Sequence, residues 1–202
     1  LDLILQTKDE AKKAECRLNA DAVEGYLSER FAGAKDRSLM MAGGDATLRL
    51  IAKERQYKNA ARADWLQTEF LTNYRRHTNA GTHALKWATD AQKAERYRDA
   101  IKYWNLICAY YTNSAHYATA LSQLSVCCGK IGDKEGEVAN LTKYLTVETV
   151  KLRRLQAQFN LAKIYQQNGL DTLAAAAEKT DAAEIEDLEK RGTAQIVRAI
   201  QN

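Results

Sequence analysis

Three breaks in the chain are evenly spaced. Glu95-Arg96, Gly132-Asp133 and Gly169-Leu170 lie at a constant step of 37 residues. Each step leaves room for two helices and one further break between them. A fixed period of this size with two helices per unit marks a helical-repeat array. One such unit cannot bury its apolar face alone, so neighbouring units must stack on it. The proline count agrees: it is zero in 202 residues. Proline lacks the backbone N–H and clashes with the preceding turn, so a chain without it suits nearly continuous helix.

Apolar residues recur at helical spacing. Leu48, Ile51, Ala52 and Arg55 share a face, as do Leu121, Leu124, Ser125 and Cys128, and again Leu161, Ala162 and Tyr165. No alternating run bounded by hairpin turns points to strands. The local stop signals predict where helices end. Gly43-Gly44 ends one helix and Asp45 caps the next; Asn79-Ala80-Gly81 is a stop with Thr82 as cap; Asn113-Ser114 separates two more. These signals predict helices over 2–18, 20–34, 45–57, 59–76, 82–94, 97–111, 115–131, 133–146, 149–167, 171–180 and 183–199. In each unit the first helix pairs a large residue with small ones: Trp87 with Ala88 and Ala91, Leu124 with Ser125 and Cys128, Leu161 with Ala162 and Tyr165. The second helix answers with Ala100, Ile101 and Trp104, or with Val138 and Leu141. Trp87, Trp104 and Tyr165 are expected in the core, and Tyr103, Tyr110 and Tyr117 partly exposed.

Tyr97-Arg98-Asp99-Ala100-Ile101-Lys102-Tyr103-Trp104 and Phe159-Asn160-Leu161-Ala162-Lys163-Ile164-Tyr165-Gln166-Gln167-Asn168-Gly169 carry a family resemblance. Both segments resemble tetratricopeptide repeats. The longer period, with Tyr111-Thr112-Asn113-Ser114 leading into the next helix, is similar to the repeats of bacterial envelope proteins of the YbgF and BamD types. The resemblance covers about residues 81–180. It implies an all-α fold, a right-handed superhelix of antiparallel helix pairs, and a non-catalytic scaffold or adaptor that binds a peptide segment. It also implies a periplasmic or envelope-associated setting, with the cytoplasm as the alternative. The expected organisation is N-terminal helices over 1–80 that carry only a vague echo of the repeat, with degenerate repeats as the alternative, then three repeats over 81–180 and a capping helix over 181–202. Two positions depart from the pattern: Glu137 stands where a small residue is usual, and Glu178 where an aromatic is usual.

Composition narrows the function classes. The chain is 46% hydrophobic and 28% charged, a globular balance. No apolar run approaches the ~18 residues of a membrane span. Leu1-Asp2-Leu3-Ile4-Leu5 is too short and too acidic for a signal-peptide core, and with no initiator Met the chain reads as a processed piece. Net charge is +4, with basic and acidic residues interleaved; Arg75-Arg76-His77 and Lys151-Leu152-Arg153-Arg154 are the densest basic spots. An RNA-binding helical array, the second functional reading, needs an alternating aromatic and basic groove that Phe159 alone does not make. Cys16, Cys108, Cys127 and Cys128 form no C-x-x-C pair and read as free thiols. His77, His83 and His116 are isolated, and no metal, phosphate-loop or nucleophile-elbow pattern is present. The cluster Glu184, Glu186, Asp187 and Glu189 reads as a solvated helix face. No cofactor is expected, and an enzyme is the least favoured class.

In a stacked array the first helix of each unit lines the concave face. That places Leu85, Thr89, Gln92 and Lys93 in one unit, Ser122, Val126 and Lys130 in the next, and Phe159, Lys163, Gln166 and Gln167 in the last. Such a mixed apolar, amide and basic surface suits an acidic segment or a free carboxylate of a partner protein.

Overall fold

A computed structural model describes residues 10–114 and 116–201. The described residues are all-α. The helices are α1 (Glu10–Arg30), α2 (Arg37–Gln56), α3 (Ala60–Asn73), α4 (Ala80–Lys93), α5 (Tyr97–Tyr110), α6 (His116–Lys130), α7 (Lys134–Val147), α8 (Lys151–Ala177) and α9 (Ala182–Gln201). Residues 1–9, which take in most of the first half of the helix expected over 2–18, lie outside the described residues. The chain divides into two compact units between Lys86 and Trp87, inside α4. In the first, α1, α2 and α3 pack in sequence as antiparallel neighbours; in the second, α5 through α9 do the same.

The period is written in the backbone. Lys58, Glu95 and Gly132 hold positive φ, at 58°, 57° and 77°. Each closes a helix with the same pair of hydrogen bonds. The first pair partner is Lys58 N–H to Arg55 O, Glu95 N–H to Gln92 O, or Gly132 N–H to Gly129 O, at 3.1, 3.0 and 3.2 Å. The second is Asn59 N–H to Glu54 O, Arg96 N–H to Ala91 O, or Asp133 N–H to Cys128 O, all 2.9 Å. A left-handed residue there lets the chain reverse while satisfying carbonyls that the helix end leaves open. Asn59 and Asp133 then cap the following helix, their side chains accepting from Arg62 and Gly136 N–H. The far ends recur too: Tyr74, Tyr111 and Glu148 donate N–H to Phe70, Ile107 and Tyr144, each at 2.9 Å, and the three acceptor residues are buried. The step of 37 therefore joins α2–α3, α4–α5 and α6–α7. It begins at Lys58, within the stretch where the sequence carries only a vague echo of the repeat.

At its other end the step fails. The turn expected at Gly169-Leu170 does not exist, and the helices expected over 149–167 and 171–180 are the single helix α8. Gly169 lies where α8 crosses α9. A Cβ there would stand 2.6 Å from Ile196 Cγ1 and 2.8 Å from the Gly192 carbonyl, and one on Gly192 would stand 2.8 Å from Leu173 Cγ. These glycines bring two backbones together; they do not turn one.

Gly43-Gly44 corrects in the same way. α2 runs through both, starting from Asp36, whose Oδ1 accepts from Leu39 N–H at 3.0 Å. A Cβ on Gly43 would meet Tyr74 Oη at 2.6 Å and Phe31 Cβ at 2.9 Å; one on Gly44 would meet His77 Cδ2 at 2.6 Å. Asp45 is no cap; its Oδ1 lies 3.1 Å from His77 Nε2. Thr82 is no cap either, because α4 has already begun at Ala80.

The large–small pattern fills the core in α4–α7 except at Ile101 and Val138, which are half-buried. Trp87, Ala88, Ala91, Ala100, Trp104, Leu124, Ser125, Cys128 and Leu141 are buried. Of the three expected in α8, Leu161 is buried, while Ala162 and Tyr165 are half-buried. Tyr103 is 4% exposed, against expectation, with its ring 6.3 Å from that of Trp87. Glu137 sits at the step of Ala63 and Ala100, both fully buried. It is accommodated by the absence of a side chain on Gly129, whose Cβ would stand 2.7 Å from Glu137 Oε1. Burial there pushes the Glu137 carboxyl above its ordinary value, against the pull of Lys134.

Candidate partner-binding groove

In the second unit the α5–α6 loop, the first half of α6, the end of α7 and the α7–α8 loop enclose a groove of about 760 Å³. The turn after α7 shapes it. Glu148 is only 6% exposed, and both carboxylate oxygens are engaged. Oε2 accepts from Tyr144 Oη at 2.7 Å and lies 3.7 Å from Arg153 Nη1; Oε1 accepts from Val150 N–H at 2.9 Å. The Val150 N–H, then the Tyr144 hydroxyl, hold this carboxyl below the usual carboxylate range. Burial, reinforced by Glu148, pushes Tyr144 up to about 12. The proton thus belongs to the phenol and the charge to the carboxylate. The pair locks the turn. Arg154 completes it, donating from Nη1 to Leu145 O at 2.6 Å and Glu148 O at 3.0 Å.

Around this lock the groove presents mostly neutral polar groups: Thr112, Asn113, Thr119, Ser122 and Thr149, with Arg153 at one side. Hydroxyls and amides of this kind each donate or accept without demanding a charge.

The expected site residues fall into three groups. Some are engaged by other groups of the same chain. Gln92 donates to Gln123 Oε1 at 2.7 Å and accepts from Trp104 Nε1 at 3.1 Å, so its amide ties α4, α5 and α6 together and does not face a partner. Gln167 donates to Asp171 Oδ1 at 2.8 Å, and Lys134 Nζ holds the other oxygen of Asp171 at 2.5 Å. Leu85 and Thr89 are half-buried on α4. Others lie on exposed surface. Lys93 and Lys130 each end their helix, two residues before the left-handed residue of the turn. Val126 is 44% exposed, and Gln166 is also exposed. The rest are brought together with something. Ser122 lines the groove, and Lys163 Nζ stands 5.8 Å from the centroid of the 60% exposed Phe159 ring. Lys163 lies mid-helix, so it is not at the helix-end place that Lys93 and Lys130 share.

Leu152 and Leu155 escaped the sequence reading. They are 76% and 52% exposed, and with Phe159 they stand at i, i+3 and i+7 on one face of α8. Ala157 and Leu161, buried, mark the opposite face. The signal was available: α8 has two apolar faces, which one buried stripe does not require.

Reactive chemistry does not gather here. Burial pushes the Cys108 and Cys128 thiols up to about 11, away from the thiolate form. Cys127 is buried and Cys16 exposed; all four cysteines are free. His77 accepts from Asn79 N–H at Nδ1 and pairs with Asp45 through Nε2, a structural use of both nitrogens. Comparison of the chain with family models, with curated proteins and with solved structures finds no match.

Proposed function

We propose that this chain is a repeat scaffold of tetratricopeptide type, its helix pairs stacking into a right-handed superhelix, and that it holds a segment of a partner protein without catalysing a reaction. The observation that supports this reading best is the recurrence of one hydrogen-bonded turn at Lys58, Glu95 and Gly132. A chain that repeats one helix pair builds extended surface in place of a closed pocket. The groove beside Ser122 supplies backbone-reading groups, and the locked Tyr144–Glu148 pair leaves no acid–base couple poised there. Following the resemblance, the role is adaptor-like, in assembly at the bacterial envelope.

Photo-crosslinking tests this. A benzophenone amino acid at Ser122 or Val126, irradiated in extract of the native source, is expected to capture the same polypeptide from both positions. Placed at Glu135, exposed on α7, it is expected to capture little. Equal capture at all three positions, or a nuclease-sensitive adduct at Ser122, would sink the reading; the latter would favour RNA.

A further inference from the structure

We infer that the N-terminal half of α8 is the seat of an acidic amphipathic helix from a partner protein, with Leu152, Leu155 and Phe159 as the apolar contacts. The inference rests on the scaffold reading and assigns the partner's chemistry.

The first ground is what α9 leaves uncovered. α9 runs back along α8 in antiparallel register: Gly192 meets Gly169 and Leu173, Ile196 meets Gly169, and Gln195 accepts from Thr172. Carried to its end at 1.5 Å per residue, that register brings α9 level with about Lys163 and no further. Ahead of that point, α8 packs on α7 through Ala157 and Leu161. Its other face there holds three large apolar side chains that are 52% to 76% exposed. Spaced at i, i+3 and i+7, they match the way one helix seats another.

The second ground is charge. Between Lys151 and Leu170 the sequence has four cations and no carboxylate. Arg154 is committed to the α7 carbonyls, and Arg153 stands 3.7 Å from Glu148. Lys151 and Lys163 are exposed at the two ends of the apolar row. A partner helix with Glu or Asp flanking its apolar stripe would meet a cation at each end. A second copy of α8 would not: in an antiparallel self-pair Lys151 falls beside Lys163, like charge on like. A bilayer also matches apolar and basic groups. It would not occupy the concave polar groove that begins at Val150, next to the row, whereas the end of a polypeptide helix can run into it.

The test uses the whole chain and a synthetic probe. The probe is a fluorescein-labelled helix of ~16 residues with Leu and Phe at i, i+3 and i+7 and Glu on both flanks; its control carries Lys for every Glu. The acidic probe is expected to bind with micromolar affinity that weakens as salt rises, and the Lys control not to bind. Leu155→Ser with Phe159→Ser, and separately Lys151→Glu with Lys163→Glu, should each weaken the acidic probe about tenfold or more. Both double variants alter exposed positions, so far-UV circular dichroism and the melting curve should hold. Equal binding of the two probes overturns the inference, as does binding of the acidic probe that neither variant weakens, or no binding of either. Sedimentation with phosphatidylserine–phosphatidylcholine vesicles that is lost in the Ser variant, with no binding of the acidic probe, overturns it in favour of a lipid surface. If crosslinks at Ser122 persist while the probe fails, the scaffold reading stands and only this assignment falls. Silence of both takes the two together.

Discussion

Gly132 and Gly169 stand one period apart, each followed by a restart signal, yet one turns the chain and the other does not. Gly132 holds φ at 77°, and a Cβ built on it would find nothing within 4 Å. Its backbone conformation is the reason for glycine. Gly169 is helical, and its Cβ would strike Ile196 and the Gly192 carbonyl. There the reason is a neighbour. The helix pairs α2–α3, α4–α5 and α6–α7 therefore rest on local turns, while α8–α9 rests on a close crossing that no local rule announces. Lys58 and Glu95 underline this, since each takes the left-handed conformation at a cost of about 1 kcal/mol because the two helices it joins require it.

Four experiments probe that difference. Trp104→Ala, at a 2% exposed ring whose Nε1 bonds Gln92, should cost about 3–5 kcal/mol in urea unfolding and free the Gln92 amide. A midpoint that does not move would mean that the α4–α5 interface is not where the helix pairs draw their stability. Gly169→Ala should cost about 1–3 kcal/mol, although alanine is the better helix former, because overpacking at the crossing outweighs propensity. Truncating Ile196 to Ala should recover part of that loss in a double-mutant cycle; additive costs would refute the steric account. Gly132→Ala should cost about 1 kcal/mol, through backbone strain alone. No truncation of a neighbour should rescue it, and if one does, Gly132 is also a packing glycine.

The smallest effect concerns Glu137 over Gly129. Its folded-state pKa is raised above the ordinary 4.5 by burial, so the folded chain binds the proton more tightly than the unfolded one. The stability this contributes is present below the unfolded value and is lost as pH rises through the folded value. Glu137→Gln should therefore raise the melting temperature at pH 8 and leave it nearly unchanged below about pH 4. A gain of equal size at both pH values would point to packing, with charge playing no part.

Much of the fold was legible because helix formation is local. The missing proline, the apolar period and the reversals at 95 and 132 depend on residues close in sequence. So did Lys58, in principle, but a lysine carries no sign that it will adopt a left-handed backbone, and the first member of the series went unrecognised. The site was less legible. Lys93, Lys130 and Phe159 are exposed as expected, since outward-facing helix positions follow from the period. Gln92 looks the same in sequence, yet it turns inward, because the indole N–H of Trp104 and the amide of Gln123 would otherwise lack partners in a half-buried interface.

The amino-acid order by itself determined that this protein is helical, where Glu95 and Gly132 reverse it, and which residues are large enough to fill a helix pair. Only the tertiary structure decided that Gly43, Gly44 and Gly169 are contacts and not ends, and which apolar face of α8 is covered. The reason is that backbone propensity is set within a few residues, whereas the use of a missing side chain or a spare apolar stripe depends on which helix lies against it. In α8 that helix is α7 along Ala157 and Leu161, and Leu152, Leu155 and Phe159 are left facing outward.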